Sequence, residues 1–497
     1  MKVSIALNNF AKLYDQLFSK RDNDLLTDDG INYLTIFSSV ITIHGFIRFQ
    51  SKFAWSKLFL IILKSVACFA IQILSLLIFR QKIVNGSKGD LLIVCNTSLA
   101  FREIYSPLIS SSDLLNIQIL FTNNKVKTIC IEAALKLGCI VISNANENAL
   151  EGVMRLIKVL IVHLKYIFYM KDSHQPFFLE KVYLTNYSFF SSLQRLFYVF
   201  RYLPQINKGD YFSVVSDDVN DPCVRYIIEY CKLKDVKTSI LQFGHYDIDS
   251  IEWKFVNSSR VYAWGNYYKN LFLTLYINKK IDIRVIGSPR FDYLFTTDLA
   301  AATDGTRKII IVLSTYSIDN YSQISDASAV ATLKAQVAED LLEYADAHNA
   351  SVIIKPHPYE SDSDLSIWNK FHSKNFKILN KDFDIRVLFR STDVIVSFGT
   401  GLTIDCLVAG IPVLLPSWNN FPWEYGALVH AGAAELNARK ELIEMLLHFE
   451  DRVKLMHIEG VIKDFVAQNS AVSRALIKDF MAGMPNKKMS PKLEFEA

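Results

Sequence analysis

The chain has 497 residues, of which 51% are hydrophobic and 21% are charged, so it is too long for a single core and too apolar to be disordered throughout. Its 54 basic and 50 acidic residues leave a formal net charge of +4, which gives no basis for a nucleic-acid partner. The seven cysteines lie without any CxxC pair and mostly in apolar runs, which predicts reduced core thiols and indicates neither a disulfide framework nor a zinc site.

The N-terminal region, residues 1–89, contains a candidate membrane helix. The first thirty residues lack the apolar segment of a cleavable signal peptide. Residues 58–79 form a 22-residue apolar run interrupted by Lys64, and a helix of that length would measure about 33 Å, enough to cross a bilayer. Basic residues flank both ends, so charge chooses no orientation. This pattern predicts either a membrane span or a buried or interface-lying helix, and a location at the cytoplasmic face of the cell membrane.

Apolar runs alternate with helical patterns from residue 90 onward and predict an α/β fold with doubly wound parallel sheets. Residues 149–170 predict an apolar helix with a narrow basic stripe, which suits either a membrane interface or a core. A small, polar, turn-rich stretch follows at 296–308 and predicts a linker. The predicted organisation is an N-terminal region at 1–89, a Rossmann-like domain at 90–295, a linker at 296–308, a second Rossmann-like domain at 309–485 and a flexible tail at 486–497.

The strongest chemical pattern is the stretch DVIVSFGTGLTID in the second domain. A buried strand pattern ends at Ser397, and a helix begins near Leu402. Gly399 and Gly401 permit close backbone approach, and the first N–H groups of the helix point back at the crevice. The hydroxyls of Ser397 and Thr400 add donors. This arrangement predicts a seat for a nucleotide phosphate, although similar turns occur in α/β folds without a ligand.

A second strand pattern, SVIIKPHP, ends about forty residues earlier. Pro356 and Pro358 stiffen the strand exit, so Lys355 and His357 are expected to project from the sheet edge. A cation beside an imidazole matches the negative charge of a departing nucleotide phosphate. We therefore interpret both side chains as donor-binding residues.

These residues resemble a known group, the GT-B glycosyltransferases and glycerophosphotransferases that build bacterial surface polymers. The resemblance covers about residues 210–420. IIKPHP is similar to the HP motif of bacterial sialyltransferases, polysialyltransferases, capsule Kdo transferases and teichoic-acid polymerases, and SFGTGLTIDCLVAGIPV is similar to their Ser/Thr motif. LQFGHYDID resembles their QHG loop, and VIGSPRFDYL resembles their GxPRxD segment. The resemblance implies a GT-B-like fold, with two Rossmann-like domains facing a cleft, the first on the acceptor side and the second on the donor side.

The resemblance also implies roles for individual residues. The implied donor-binding set is Lys355, His357, Ser397, Thr400, Gly401 and Arg290. His245 would face the acceptor as general base, although Gly244 and His245 stand in the opposite order from the usual motif; Asp247 and Asp249 are the alternatives. Asp218 is either the acidic residue of a sialyltransferase-like motif or a turn cap before Pro222. Arg290 and Asp292 either pair to shape the hinge or bridge locally.

The resulting functional hypothesis is a glycosyltransferase that moves a sugar from a CMP-, CDP- or UDP-linked donor to a surface polysaccharide or lipid-linked glycan at the inner-membrane surface. Three alternatives stay open: a teichoic-acid-type glycerophosphotransferase, a nucleotide-sugar epimerase and a non-catalytic membrane-attached scaffold of a polysaccharide assembly complex. No Asp-x-Asp motif stands in a strand-to-loop context, so no obligatory metal or other cofactor is expected.

Overall fold

The computed structural model describes two α/β domains and a short N-terminal strand pair. It covers residues 27–28, 31–32, 89–112, 115–142, 209–246, 256–275, 280–292, 308–315, 327–358, 360–371, 373–418, 425–448, 458–467 and 471–482, with single residues or short groups between 154 and 207 and at 253 and 294. The predicted helix at 58–79, Asp247 and Asp249, the tail at 486–497, and most of the stretches 149–170 and 296–308 lie outside the described residues.

The first domain is a sheet of seven parallel strands. Strands β1 (Thr27–Asp28) and β2 (Ile31–Asn32) form a separate antiparallel pair. The seven are β3 (Leu91–Cys95), β4 (Ile117–Phe121), β5 (Ile140–Val141), β6 (Ser213–Ser216), β7 (Lys237–Leu241), β8 (Arg260–Ala263) and β9 (Asp282–Val285). Their order is β5-β4-β3-β6-β7-β8-β9, so the winding direction reverses between β3 and β6. Every residue of β3 is buried, because helices cover both faces of a parallel sheet.

The helices of the first domain follow the strands with ordinary capping chemistry. They are α1 (Ser98–Ala100), a π-helix (Phe101–Tyr105), α2 (Ser106–Ser110), α3 (Asn124–Lys136), α4 (Pro222–Lys232), α5 (Asn266–Leu275) and a 3-10 turn (Pro289–Phe291). Asp221 caps α4 by accepting hydrogen bonds from the backbone N–H groups of Cys223 and Val224, and Pro222 occupies the first turn, where its missing N–H costs nothing.

The second domain is a sheet of six parallel strands. They are β10 (Ile309–Leu313), β11 (Ser351–Lys355), β12 (Phe376–Ile378), β13 (Val394–Ser397), β14 (Val413–Pro416) and β15 (Ala434–Leu436), in the order β12-β11-β10-β13-β14-β15. The helical elements are α6 (Ala327–His348), α7 (Asp362–Trp368), a 3-10 segment (Ile385–Ser391), α8 (Leu402–Val408), α9 (Gly426–His430), α10 (Arg439–Leu447), α11 (Ile458–Phe465) and α12 (Val472–Met481). Here the winding direction reverses between β10 and β13. The two doubly wound parallel sheets confirm the predicted fold class, without testing the predicted N-terminal helix.

The last helix returns to the first domain. Leu476 and Phe480 of α12 lie in the same apolar cluster as β3 and β4, and the ring of Phe480 meets that of Tyr262 edge to face. Asp292 caps this helix, accepting hydrogen bonds from the backbone N–H and the hydroxyl of Ser473. Asp292 thus faces the start of α12, and the two predicted arrangements of Arg290 and Asp292 stay predictions. The range 309–485 stays a prediction, but the packing of α12 is with the first sheet.

Three further observations bear on the sequence-based expectations. Within the described part of the chain, none of the helices combines the length and apolar character needed to cross a bilayer. In those same residues, no group of three His, Cys, Asp or Glu side chains is placed to hold a metal ion. The six cysteines that the structure describes are all buried, as expected for core thiols.

Candidate active site

The carboxyl ends of the two sheets meet across the domain boundary. In doubly wound sheets, ligands bind outside the carboxyl ends of the strands where the winding direction reverses. The β3–β6 reversal of the first domain presents Asp217 just after β6, and the β10–β13 reversal of the second presents the SFGTG turn just after β13. Arg290, which follows β9, contacts Asp405 and Gly401 of the second domain. The residues around these contacts form the candidate site.

The SFGTG turn owes its shape to Gly399 and Ser397. Gly399 has φ +77°, and a Cβ there would lie 2.8 Å from Tyr425 Cε1, so only glycine fits without strain. Ser397 is fully buried: its Oγ lies 2.7 Å from Thr403 Oγ1 and accepts the backbone N–H of Gly399 at 3.2 Å. Ser397 therefore supports the turn from inside, and its contact with a donor phosphate stays a prediction.

Thr400 and Gly401 form the outward side of the same turn. The Thr400 hydroxyl is buried and has no hydrogen-bond partner among the described residues. Most buried polar atoms in proteins do have such a partner. Gly401 has φ −58° and is exposed, and a Cβ added to it would meet no atom of the described residues within 4 Å. The backbone conformation thus does not require glycine at 401, whereas open space in front of it would accommodate a ligand.

The two glycines provide a matched pair of substitutions. Gly399→Ala is expected to destabilise the fold by about 1–2 kcal/mol, because an L-residue is strained at positive φ. Gly401→Ala should leave stability unchanged or slightly higher, while weakening nucleotide binding by placing a methyl group in the open space. Urea unfolding and nucleotide titration check both effects. Wild-type affinity in Gly401→Ala would contradict the placement of the ligand at this turn.

The KPHP loop follows β11, next to β10 in the sheet. Lys355 is buried, and its Nζ donates to the carbonyls of Pro356 at 2.8 Å and Lys381 at 2.6 Å. Burial lowers the pKa of Lys355. The two hydrogen bonds of Lys355 hold the loop in place. Direct contact of Lys355 with a phosphate stays a prediction.

His357 is half-buried, and burial lowers its pKa to about 4 against the opposing effect of Glu360. The imidazole is consequently neutral near pH 7. Its backbone N–H donates to Glu360 Oε2 at 2.6 Å, and Glu360 N donates back to the His357 carbonyl at 3.0 Å. These two hydrogen bonds form a turn, which fixes the backbone position of His357.

Glu360 is the centre of a buried polar cluster that supports this loop. Its Oε1 lies 2.8 Å from Lys334 Nζ, and both side chains are fully buried. The same oxygen accepts the hydroxyl of Ser314 at 2.6 Å and the indole N–H of Trp368 at 3.3 Å. A buried ion pair with all of these hydrogen bonds is a rigid base for His357.

On the opposite side, Asp217 and Asp218 follow β6. Asp218 Oδ1 accepts the backbone N–H groups of Asn220 at 2.7 Å and Asp221 at 2.9 Å, and its Oδ2 accepts Asn96 Nδ2 at 2.6 Å. These are the bonds of a turn cap that also ties β6 to the β3 exit. These contacts give Asp218 a structural role, and a catalytic role for it stays a prediction.

Asp217 has a different environment. It is buried, with an exposed fraction of 5%, and its Oδ1 accepts the hydroxyl of Tyr105 at 2.7 Å. Burial raises the pKa of Asp217 to about 7, the neighbouring Asp218 adds to the rise, and the Tyr105 hydrogen bond opposes it. A carboxyl group poised near neutral pH at a strand end is a general-base candidate.

The His245 loop lies beside this carboxylate because β7 pairs with β6. Gln242 fixes the loop: its Oε1 accepts the backbone N–H of Trp264 at 2.9 Å, and its Nε2 donates to the Gly244 carbonyl at 2.9 Å. His245 is partly exposed at the mouth of the loop. The structure thus brings His245 and the acidic pair to neighbouring strand ends.

Arg290 is buried at the boundary between the domains. It donates through Nε to Asp405 Oδ1 at 3.1 Å, and its Nη2 bonds to the other oxygen of that carboxylate. Its Nη1 reaches the carbonyl of Phe243 at 3.4 Å, and its Nη2 reaches that of Gly401 at 3.3 Å. These contacts join the guanidinium to both domains, and a contact of Arg290 with a donor stays a prediction.

Several functional candidates escaped the sequence reasoning. Asp217 stood next to the residue that the motif pointed to, and its position at the strand end was the available signal. Asp405 and Lys334 each lie on an apolar helix face, where a buried charge signals a partner without naming it. Those partners are distant in the chain, so only the fold identifies them.

No family model and no curated protein matches this sequence. The fold is similar to solved structures at low identity. The UDP-GlcNAc 2-epimerase from Neisseria meningitidis bound to UDP-GlcNAc is 12% identical, covering 80% of this chain and 100% of that one, with a TM-score of 0.47. The wall teichoic acid polymerase TagF is 11% identical over 87% and 98%, with a TM-score of 0.46. The calicheamicin glycosyltransferase CalG4 is 10% identical over 80% and 98%, with a TM-score of 0.45. These likenesses assign no residue or substrate to this chain.

Proposed function

We propose that this protein is a glycosyltransferase that moves a sugar from a nucleotide-activated donor to a surface polysaccharide or lipid-linked glycan. One observation carries the proposal: the turn at Thr400 and Gly401 and the buried carboxyl group of Asp217 lie at the carboxyl ends of two sheets that Arg290 joins. The first offers an unpartnered hydroxyl and open space to a phosphate, and the second offers a base. Membrane association through residues 58–79 is part of the same proposal and stays a prediction.

The chemistry divides between the two domains. Transfer breaks the bond between the anomeric carbon and the donor phosphate oxygen and forms a bond to an acceptor oxygen. Asp217 takes the acceptor proton as the new bond forms, because its pKa lies near neutral pH. The nucleotide leaves with the electron pair of the broken bond, and Thr400 and His357 donate hydrogen bonds to its phosphate.

A calorimetric screen of CMP, CDP, UDP and GDP tests the proposal. One nucleotide is expected to bind and to raise the melting temperature, because a ligand that binds only the folded state stabilises it. Turnover of the corresponding donors then separates sugar transfer from glycerol phosphate transfer and from epimerisation. No binding by any of the four would contradict a nucleotide-dependent enzyme and favour a non-catalytic scaffold.

His357 gives the same experiment an internal control. A bound phosphate favours the protonated imidazole, so binding raises the pKa of His357 from about 4 and takes up a proton. Affinity should then rise as the pH falls from 7 towards 5, by at most about tenfold per pH unit. His357→Gln should lose that part of the rise, whereas protonation of the nucleotide itself affects both proteins equally. Identical pH profiles would remove His357 from the phosphate site.

A further inference from the structure

The guanidinium of Arg290 joins two loops that belong to opposite sides of the candidate cleft. Its Nη1 donates to the carbonyl of Phe243, in the loop that carries His245, and its Nη2 donates to the carbonyl of Gly401, in the nucleotide-binding turn. We propose that Arg290 is a positioning residue that holds these two loops in register across the domain boundary. The role in catalysis rests on the proposed function, whereas the register itself does not.

The geometry requires a planar fork. Both oxygens of Asp405, on the helix that follows the turn, bond to Nε and Nη2 of Arg290, while Nη1 points to the first domain. Lysine could place one charge here but could not reach the carboxylate and both carbonyls at once. The 3-10 turn Pro289–Phe291 is capped by Ser288, whose side chain accepts the backbone N–H of Arg290. This turn fixes the backbone from which the guanidinium extends to both domains.

The charges around Arg290 balance within the protein. Glu103 Oε2 lies 3.4 Å from Arg290 Nε, and Glu103 Oε1 lies 3.3 Å from Nη1 of Arg386 in the second domain. Arg386 also pairs with Asp384 at 2.7 Å, and Nη2 of Arg102 lies 3.4 Å from Glu103 Oε1. Among the described residues, three arginines thus face three carboxylates, which are Glu103, Asp384 and Asp405. The charge of Arg290 is therefore already compensated by protein carboxylates. We infer that Arg290 affects donor binding by positioning the backbone of Gly401.

The same network extends to the candidate base. Glu103 and Tyr105 both belong to the π-helix Phe101–Tyr105, an irregular element that often marks functional sites. Glu103 contacts Arg290 and Arg386, and Tyr105 donates to Asp217. A shift of the second domain would therefore displace the π-helix, whose Tyr105 holds the candidate base Asp217.

Hydrogen exchange on the full chain, without any nucleotide, tests the inference. In Arg290→Gln, peptides covering 241–246 and 399–405 should exchange together about tenfold faster or more, because each loop loses a bond to a charged group. Arg290→Lys should show the same paired loosening although it keeps the charge. Arg386→Gln makes the same change of charge in the network but leaves the carbonyl contacts of Arg290 intact, so both peptides should stay near wild type.

Each outcome of the exchange experiment either supports or overturns the positioning role of Arg290. Loosening of neither loop or of one loop alone in Arg290→Lys would overturn the inference, and so would equal loosening in Arg386→Gln. If Arg290→Gln exchanges everywhere because it unfolds, Arg290→Lys supplies the answer. Paired loosening with no nucleotide binding in the wild type would sink the proposed function while leaving the positioning role intact. With an active donor, the Arg290→Lys variant should lose kcat more than nucleotide affinity.

Discussion

Glu360→Gln is expected to destabilise the second domain by about 3 kcal/mol, the lower end of the usual cost of breaking a buried ion pair. It removes the nearer carboxylate of Lys334, whereas Asp364 Oδ1 still lies 3.7 Å from the Lys334 ammonium. Both side chains are fully buried, and Oε1 of Glu360 also accepts bonds from Ser314 and Trp368. A carboxylate accepts all of these bonds at once, together with the backbone N–H of His357 on its second oxygen. A glutamine offers a single acceptor oxygen, so some donors must lose their partner.

Urea unfolding measures this effect, and the chain offers a matched control. Glu339 pairs with Arg439 at 2.9 Å, but the two side chains are 54% and 42% exposed. Glu339→Gln should therefore cost at most about 1 kcal/mol. A double variant, Lys334→Met with Glu360→Gln, should recover part of the stability, because it removes the buried cation that has lost its nearer carboxylate, while Asp364 keeps its hydrogen bonds to Ser361. A cost below about 1 kcal/mol in Glu360→Gln alone would show that the pair contributes little and that His357 is positioned by other contacts.

The fold was accessible from sequence because its signals are local. Buried parallel strands are short runs of apolar residues, and β11 and β13 coincide with the strand patterns in SVIIKPHP and DVIVSFGTGLTID. Strand ends also locate a crevice, since parallel strands bring their carboxyl ends to one edge.

The candidate site was accessible only in part, since side-chain direction depends on distant neighbours. Ser397 ends β13 and Thr400 lies three residues later, yet the Ser397 hydroxyl bonds to Thr403 whereas the Thr400 hydroxyl has no partner among the described residues. Asp405 lies 115 residues from Arg290 in the chain. No local pattern pairs them. The sequence pointed to Asp218, whereas the pKa of the neighbouring Asp217 is raised by its burial, an effect that the hydrogen bond from Tyr105 opposes.

Asp217→Asn is expected to lower kcat by about 10²- to 10⁴-fold, the usual contribution of a positioned general base. Nucleotide affinity should change little, because the donor turn lies in the other domain. The pH profile should show an acidic limb near the pKa of about 7. Tyr105→Phe should move that limb to higher pH, since the hydrogen bond from Tyr105 favours the ionised carboxyl group.

Stability gives this prediction a second, independent sign. An unfolded aspartate has a pKa of about 3.9, whereas folded Asp217 has one of about 7, so the folded state binds more protons between these values. The stability contributed by this group is present below the unfolded pKa and is lost as the pH rises through the folded pKa. Asp217→Asn carries no such loss and should be more stable than wild type above pH 7, although it is less active.

The combination of lost turnover and gained stability identifies a group held in an unfavourable state for its chemistry. Asp292→Asn is the comparison variant in the same domain, because Asp292 caps α12 through its bonds to Ser473. It should lose stability together with this cap and keep kcat. An Asp217→Asn variant with unchanged kcat would move the base to the neighbouring loop of His245. One that loses both activity and stability would indicate a structural carboxylate.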